Sequence, residues 1–306
     1  MNDNSEMTDT LNWCEAVLGS FEVAADHLVS HAGKQASACR LRMPSGYCYI
    51  KTHDDRSAWE SEVHAYECWA SAFGGRAPKL LAVHDESPLA LVVTELPGEI
   101  AERAALSASQ ESELWMTAGR ALSVFHDSAE GEWFGPCRLD GTPAETPIYD
   151  AKDYVLADMD HAVEKGLRAG CLRENERSVI NAARELVPAF EGERPVPCHR
   201  DYIPANWIVS DARTWAGVID FESAQWDVRV ADFTRYPNWD WMDRPELVDA
   251  LLEGYGRSFT PAEEQQRMVG HVQYAVGAIV WGSENAYYGF AEEGRQALMR
   301  VAKALV

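Results

Sequence analysis

Strand signals crowd into the residues before Pro97-Gly98, and helical periodicity governs nearly everything after that break. The segregation predicts an α+β chain with a small β-rich N-terminal lobe, residues 1–97, joined by a hinge to a larger, mainly helical lobe, residues 98–306. A length of 306 residues agrees with two lobes, since one hydrophobic core rarely organises so long a chain. Phe21 to Val29, Ser37 to Met43 and Tyr47 to Lys51 read as strands, with turns at Ala32-Gly33-Lys34 and Pro44-Ser45-Gly46. Arg56 to Phe73 reads as a helix, because Trp59, Val63, Tyr66 and Ala70 recur at three- and four-residue spacing and Gly74-Gly75 can cap it. Lys79 to His84 and Leu89 to Glu95 add two strands. Beyond the break, helices are expected over Ser109 to His126, Tyr154 to Ala169, Glu174 to Phe190, Pro245 to Phe259 and Pro261 to Tyr288.

The helical part is interrupted once, by CHRDYIPANWIVSDARTWAGVIDFE. It reads as an apolar strand, a polar loop, a short strand at Trp207 to Val209, a turn at Ser210 to Thr214 and a strand at Ala216 to Ile219. A loop framed by strands keeps polar side chains exposed but still. Asp201, Asn206 and Asp220 then supply a base, an amide and a carboxylate, the groups that nucleotide-dependent phosphoryl transfer requires. His199 with Asp201 offers zinc-type donors, but no third ligand follows at zinc spacing.

Composition narrows the partners. The formal charge is 27 − 49 = −22, with a pI near 4.7. Such a surface repels nucleic acid and anionic membranes and attracts cationic small molecules, although acidity also serves plain solubility. No segment approaches the ~18 apolar residues of a membrane span, and the polar MNDNSEMTDT start does not read as a signal peptide. Seven scattered cysteines without a CxxC pair fit reduced thiols in a cytoplasmic protein.

HRDYIPAN and VIDFE resemble the core of the aminoglycoside phosphotransferase and choline kinase group, in its antibiotic phosphotransferase branch. The likeness runs along nearly the whole chain: a lysine in YIK, an acidic helix after it, a hinge after LVVTEL, the ALSVFH helix, and the D-x-x-x-A-D-F element that contains Asp232. It implies a bilobal protein-kinase-like fold. Asp201 is then the catalytic base, and Asn206 and Asp220 the ligands of Mg²⁺. His199 braces the catalytic loop, and Asp232 hydrogen-bonds that loop's backbone. Lys51 pairs with the α- and β-phosphates of ATP or GTP. Its carboxylate partner lies among Glu60, Glu62 and Glu67, with Glu62 chosen because S-E-V-H-A-Y aligns best with the family's helix. The nucleotide base meets the backbone around Glu95, Leu96 and Pro97.

The departures are informative. The glycine-rich loop is absent; HAGKQASAC has only Gly33, leaving backbone amides and the Ser30 or Ser37 hydroxyls to cover phosphates. DFE stands where protein kinases have DFG, and neither A-P-E nor a long activation segment follows, which favours a small-molecule enzyme. Trp239, Asp240, Trp241, Trp281, Glu284, Tyr287 and Tyr288 concentrate aromatics and acids in two short stretches, the composition of an acceptor pocket. The expected reaction passes a γ-phosphoryl group to a hydroxyl of an aminoglycoside, nucleoside or peptide antibiotic, conferring resistance. The alternatives are a metabolic kinase for choline, a sugar or an amino-acid hydroxyl, and a catalytically inactive binding module, which would ordinarily have lost Lys51, Asp201 or Asp220. Oligomeric state is not legible.

Overall fold

The computed structural model describes residues 3–30, 36–234 and 244–305. The chain opens with α1 (Asp3–Leu18), a helix absent from the sequence expectations. Strands β1 (Glu22–Ser30), β2 (Ala36–Met43) and β3 (Gly46–His53) follow, then α2 (Arg56–Cys68), β4 (Leu80–His84) and β5 (Leu89–Thr94). These five strands form one antiparallel sheet in the order β1-β2-β3-β5-β4. Side chains alternate across it. Cys39, Leu41, Cys48, Ile50, Ala90 and Val92 face α1, where Cys14 completes a small buried cluster. Tyr49, Leu89, Leu91 and Val93 face the other way and join α2 in the main core, and the same alternation turns Lys51 toward α2.

Local chemistry explains α2. The Asp55 carboxylate accepts the Ala58 N–H at 2.8 Å, and Trp59, Val63 and Tyr66 bury one stripe. The expected helix to Phe73 stops earlier, at Cys68; a 3₁₀ turn over Ala70–Phe73 then ends at Gly74 in the left-handed region.

After β6 (Glu99–Ile100) come α3 (Ala108–His126), α4 (Ala151–Arg168) and α5 (Glu174–Arg184). The helix expected to run to Phe190 breaks at Glu185, and a separate 3₁₀ turn, Val187–Phe190, carries Pro188 near its start. β7 (Val196–Cys198), β8 (Trp207–Val209), β9 (Trp215–Val218) and β10 (Gln225–Asp227) make two small sheets, β10-β7 and β6-β8-β9. Helices α6 (Pro245–Tyr255), α7 (Pro261–Glu284) and α8 (Tyr288–Leu305) complete the chain. α6 stops at Gly256, φ +91°, short of the expected Phe259. The long helix expected to Tyr288 is two helices, because Asn285 caps α7 and Ala286 turns the backbone at φ +56°. All seven cysteines are free thiols. No helix among the described residues is long and apolar enough to cross a membrane.

The main core does not stop at the break after β5. Phe73 stacks on Phe125 of α3 with ring centroids 4.7 Å apart, Trp69 meets Trp226 at 4.8 Å, and Tyr66 meets Phe221 at 5.0 Å. α3 and α6 touch backbone to backbone through glycines. A Cβ on Gly254 would lie 1.8 Å from the Met116 carbonyl oxygen, and one on Gly119 would lie 2.0 Å from that of Leu251. Gly254→Ala is therefore expected to destabilise the fold by about 1–3 kcal/mol through overpacking. Urea unfolding checks this: the midpoint should fall while its slope stays unchanged.

Candidate active site

Strand pairing assembles the segment that carries Asp201, Asn206 and Asp220. β7 delivers His199 into the loop, and the Ile219 N–H donates to the Asn206 carbonyl at 3.0 Å, which sets Asn206 beside the residue before Asp220. The loop is tied from within. The Asn206 amide donates to the Asp201 carbonyl at 3.0 Å, and the Asp201 N–H donates to His199 Nδ1 at 3.3 Å. His199 Nε2 in turn donates to the Ile219 carbonyl at 3.1 Å. Both imidazole nitrogens are thus committed within the protein, which leaves His199 no lone pair for zinc.

Asp232 lies beneath the loop, 1% exposed, and accepts the backbone N–H groups of His199, at 2.9 Å, and Arg200. His126 Nε2 donates to the same carboxylate at 2.9 Å, while Nδ1 pairs with the Tyr255 hydroxyl at 2.8 Å. Burial pushes the His126 pKa down despite the carboxylate, so this contact joins a neutral imidazole to an acid. His126, Cys198 and Asp232 lie close enough to suggest a metal cluster. Their polar atoms are already spent on hydrogen bonds, Cys198 Sγ reaching the Val228 carbonyl at 3.4 Å.

Two residues of this segment take left-handed backbone without being glycine: Arg200 at φ +62° and Asp220 at φ +70°. Such conformations cost on the order of 1–3 kcal/mol and persist where surrounding bonds over-determine them. At Arg200 those bonds are the Asp232 contact to its N–H and a side-chain pair, Nε to Asp227 Oδ2 at 3.0 Å.

Lys51 sits at the centre of an acidic cluster. Its ammonium lies 3.0 and 2.9 Å from the two Glu62 oxygens, contacts Asp220, and lies 3.1 Å from Glu222. Burial opposes the charge on Lys51, but Asp220, Glu62 and Glu222 outweigh it and hold the ammonium's pKa well above the usual lysine value. Burial likewise works against ionised Glu62, yet Lys51 and His53 keep its pKa below the usual glutamate range. Of the three candidate glutamates, Glu62 is therefore the one against Lys51; Glu60 approaches Arg56 instead, at 3.9 Å. Glu95, Leu96 and Pro97 connect the five-stranded sheet to β6. The Glu95 N–H donates to the Tyr47 carbonyl, and its carboxylate accepts Arg40 Nη2 at 2.8 Å.

A cavity of about 820 Å³ opens beside Asp201, between α4, the 229–233 turn, α7 and the start of α8. Trp281 and Tyr287 line it. Glu284 and Tyr288 do not: the Glu284 carboxylate bonds Lys165 of α4 at 2.9 Å, and Tyr288, 69% exposed, faces solvent on the first turn of α8. The break at Ala286 separates these neighbours in sequence. Trp239, Asp240 and Trp241 lie outside the described residues. Sequence reasoning missed most of the lining, including Tyr154 and Asp158 of α4, Arg200, Asp227, Gln273, Tyr274 and Glu293. It also assigned no role to Glu222, whose signal was visible as the glutamate of DFE.

The profile of the phosphotransferase enzyme family matches residues 56–267. No curated protein matches the chain in sequence. Among solved structures, the aminoglycoside phosphotransferase APH(4)-Ia superposes with a TM-score of 0.72 at 13% identity, covering 97% of this chain and 98% of that one. The GDP and kanamycin complex of APH(2")-IIIa gives 0.73 at 13% identity with the same coverage. The streptomycin–ATP ternary complex of APH(2")-IIa gives 0.65 at 15% identity, covering 95% of each chain. These likenesses establish a shared kinase-like fold, and the family match extends over the catalytic segment. The chain belongs to the phosphotransferase enzyme family, whose members transfer a phosphoryl group to a hydroxyl acceptor.

Proposed function

We propose that this protein transfers the γ-phosphoryl group of ATP or GTP to a hydroxyl of a cationic, ring-containing antibiotic and so inactivates it in the cytoplasm. The observation that carries the reading is the convergence of Asp201 on a cavity large enough for such a molecule, with Lys51, Glu62 and Asp220 clustered beside it. Aromatic walls formed by Tyr274, Trp281, Tyr287 and Phe290 suit a ring system. Asp158, Asp201, Glu222, Asp227 and Glu293 make the lining acidic, with Arg200 already paired to Asp227, which suits a protonated amine. The neighbours' complexes contain nucleotides together with streptomycin, kanamycin or hygromycin B, and that supports the same class here.

In this mechanism Asp201 orients the attacking hydroxyl and receives its proton, while Lys51 leaves Asp220 and Glu222 for the triphosphate and keeps Glu62 as its partner. Asn206 and Asp220 offer the hard oxygen donors that Mg²⁺ favours, and the ion when bound supplies charge neutralisation at the phosphates. Positioning and electrostatics suffice; no covalent enzyme intermediate is needed. Nucleotide turnover should rise on adding one member of a panel of aminoglycosides, nucleoside and peptide antibiotics, with mass spectrometry showing one added phosphate on that compound. Phosphorylation of choline or an amino-acid hydroxyl instead, with every antibiotic untouched, would assign the enzyme to metabolism.

A further inference from the structure

His53 has no part in the chemistry outlined above, yet it touches both halves of the site. Strand alternation places it two residues beyond Lys51 on the same face of β3. Its Nε2 lies 2.8 Å from Glu62 Oε2, with both side chains 1% exposed. That oxygen also receives Lys51, at 2.9 Å. One carboxylate oxygen is thus shared between an ammonium and an imidazole, and the second, Oε1, bonds Lys51 at 3.0 Å. Asp220 and Glu222 compete for the same ammonium. A Glu62 carboxylate free to rotate would lose this competition; the His53 bond fixes its plane.

The rest of the ring argues against simple packing. Nδ1 is buried without a hydrogen-bond partner among the described residues, and the imidazole lines the cavity that holds Asp201. A buried polar atom without a partner is destabilising, so an apolar residue would serve a purely packing role better. The His53, Glu62 and Glu222 cluster has metal-like spacing, but the Lys51 ammonium already contacts both carboxylates and is the cluster's cation.

We propose that His53 is a positioning residue for nucleotide binding: through Nε2 it holds the Glu62 carboxylate toward Lys51, and so holds the ammonium where the nucleotide phosphates need it. This rests on the phosphotransferase reading above. Two substitutions test it. A glutamine amide reaches about as far as Nε2, whereas an asparagine amide reaches only about as far as Nδ1. Calorimetric titration of the full chain with Mg·ATP and Mg·GTP, alongside thermal unfolding, is the measurement. His53→Asn is expected to weaken the better-bound nucleotide by about tenfold, the scale of one hydrogen bond to a charged group. His53→Gln should stay within about threefold of wild type by the same reckoning. Wild-type affinity in His53→Asn, equal weakening in both variants, or a loss of melting temperature alone would each overturn the proposal. Wild-type protein that binds neither nucleotide overturns the phosphotransferase reading itself, a result seen before any substitution is made.

Discussion

Asp201→Asn is expected to lower kcat by about 10²- to 10⁴-fold, the usual contribution of a general base, while nucleotide affinity changes little. The separation follows from how the loop is held. Asp201 contributes its backbone to the loop, through its N–H to His199 and its carbonyl to Asn206, and neither bond involves the carboxylate. Lys51 and Glu62 also lie outside those bonds. Steady-state turnover with an acceptor that the wild-type protein phosphorylates, set beside calorimetric titration of Mg·ATP and Mg·GTP, gives both quantities. Turnover equal to wild type would remove Asp201 from the reaction; loss of nucleotide binding would make it part of the nucleotide site.

Asp232→Ala is expected to destabilise the protein by about 3–5 kcal/mol, because it strands several buried donors together. The N–H groups of His199 and Arg200 and the His126 imidazole all lose their acceptor. Arg200 also loses a bond that holds it at φ +62°, so the loop should relax toward ordinary backbone and displace Asp201. Urea unfolding measures the first effect and turnover the second. A cost below about 1 kcal/mol, the value of one ordinary hydrogen bond, would show that the buried network is dispensable.

The segment that carries Asp201, Asn206 and Asp220 was legible as a unit because it is local: the three residues fall on one run of strand, loop and strand whose spacing fixes their relation. Glu62 could be chosen because S-E-V-H-A-Y aligns with the family's helix and a helical residue two positions away faces nearly the opposite side. α1 was overlooked although Leu11, Cys14 and Leu18 stand at helical spacing, since the polar residues around them masked a narrow stripe. The cavity lining was illegible for a different reason. Tyr154 and Asp158, Gln273, and Glu293 lie on three separate helices, where each occupies an ordinary core or surface position of the helical period. The turn at Ala286 misplaced Glu284 and Tyr288, because neither glycine nor proline announces it. His53 carries no motif at all; its contact with Glu62 arises only when α2 packs against β3.

The ring contacts that join Tyr66, Trp69 and Phe73 to Phe221, Trp226 and Phe125 bear on control. Swinging α2 outward together with the 3₁₀ turn after it, the motion by which an inactive kinase parts its lysine from its glutamate, would uncover these aromatics at about 1.5–3 kcal/mol each. The cost of parting these rings favours the arrangement in which Lys51 and Glu62 stay paired.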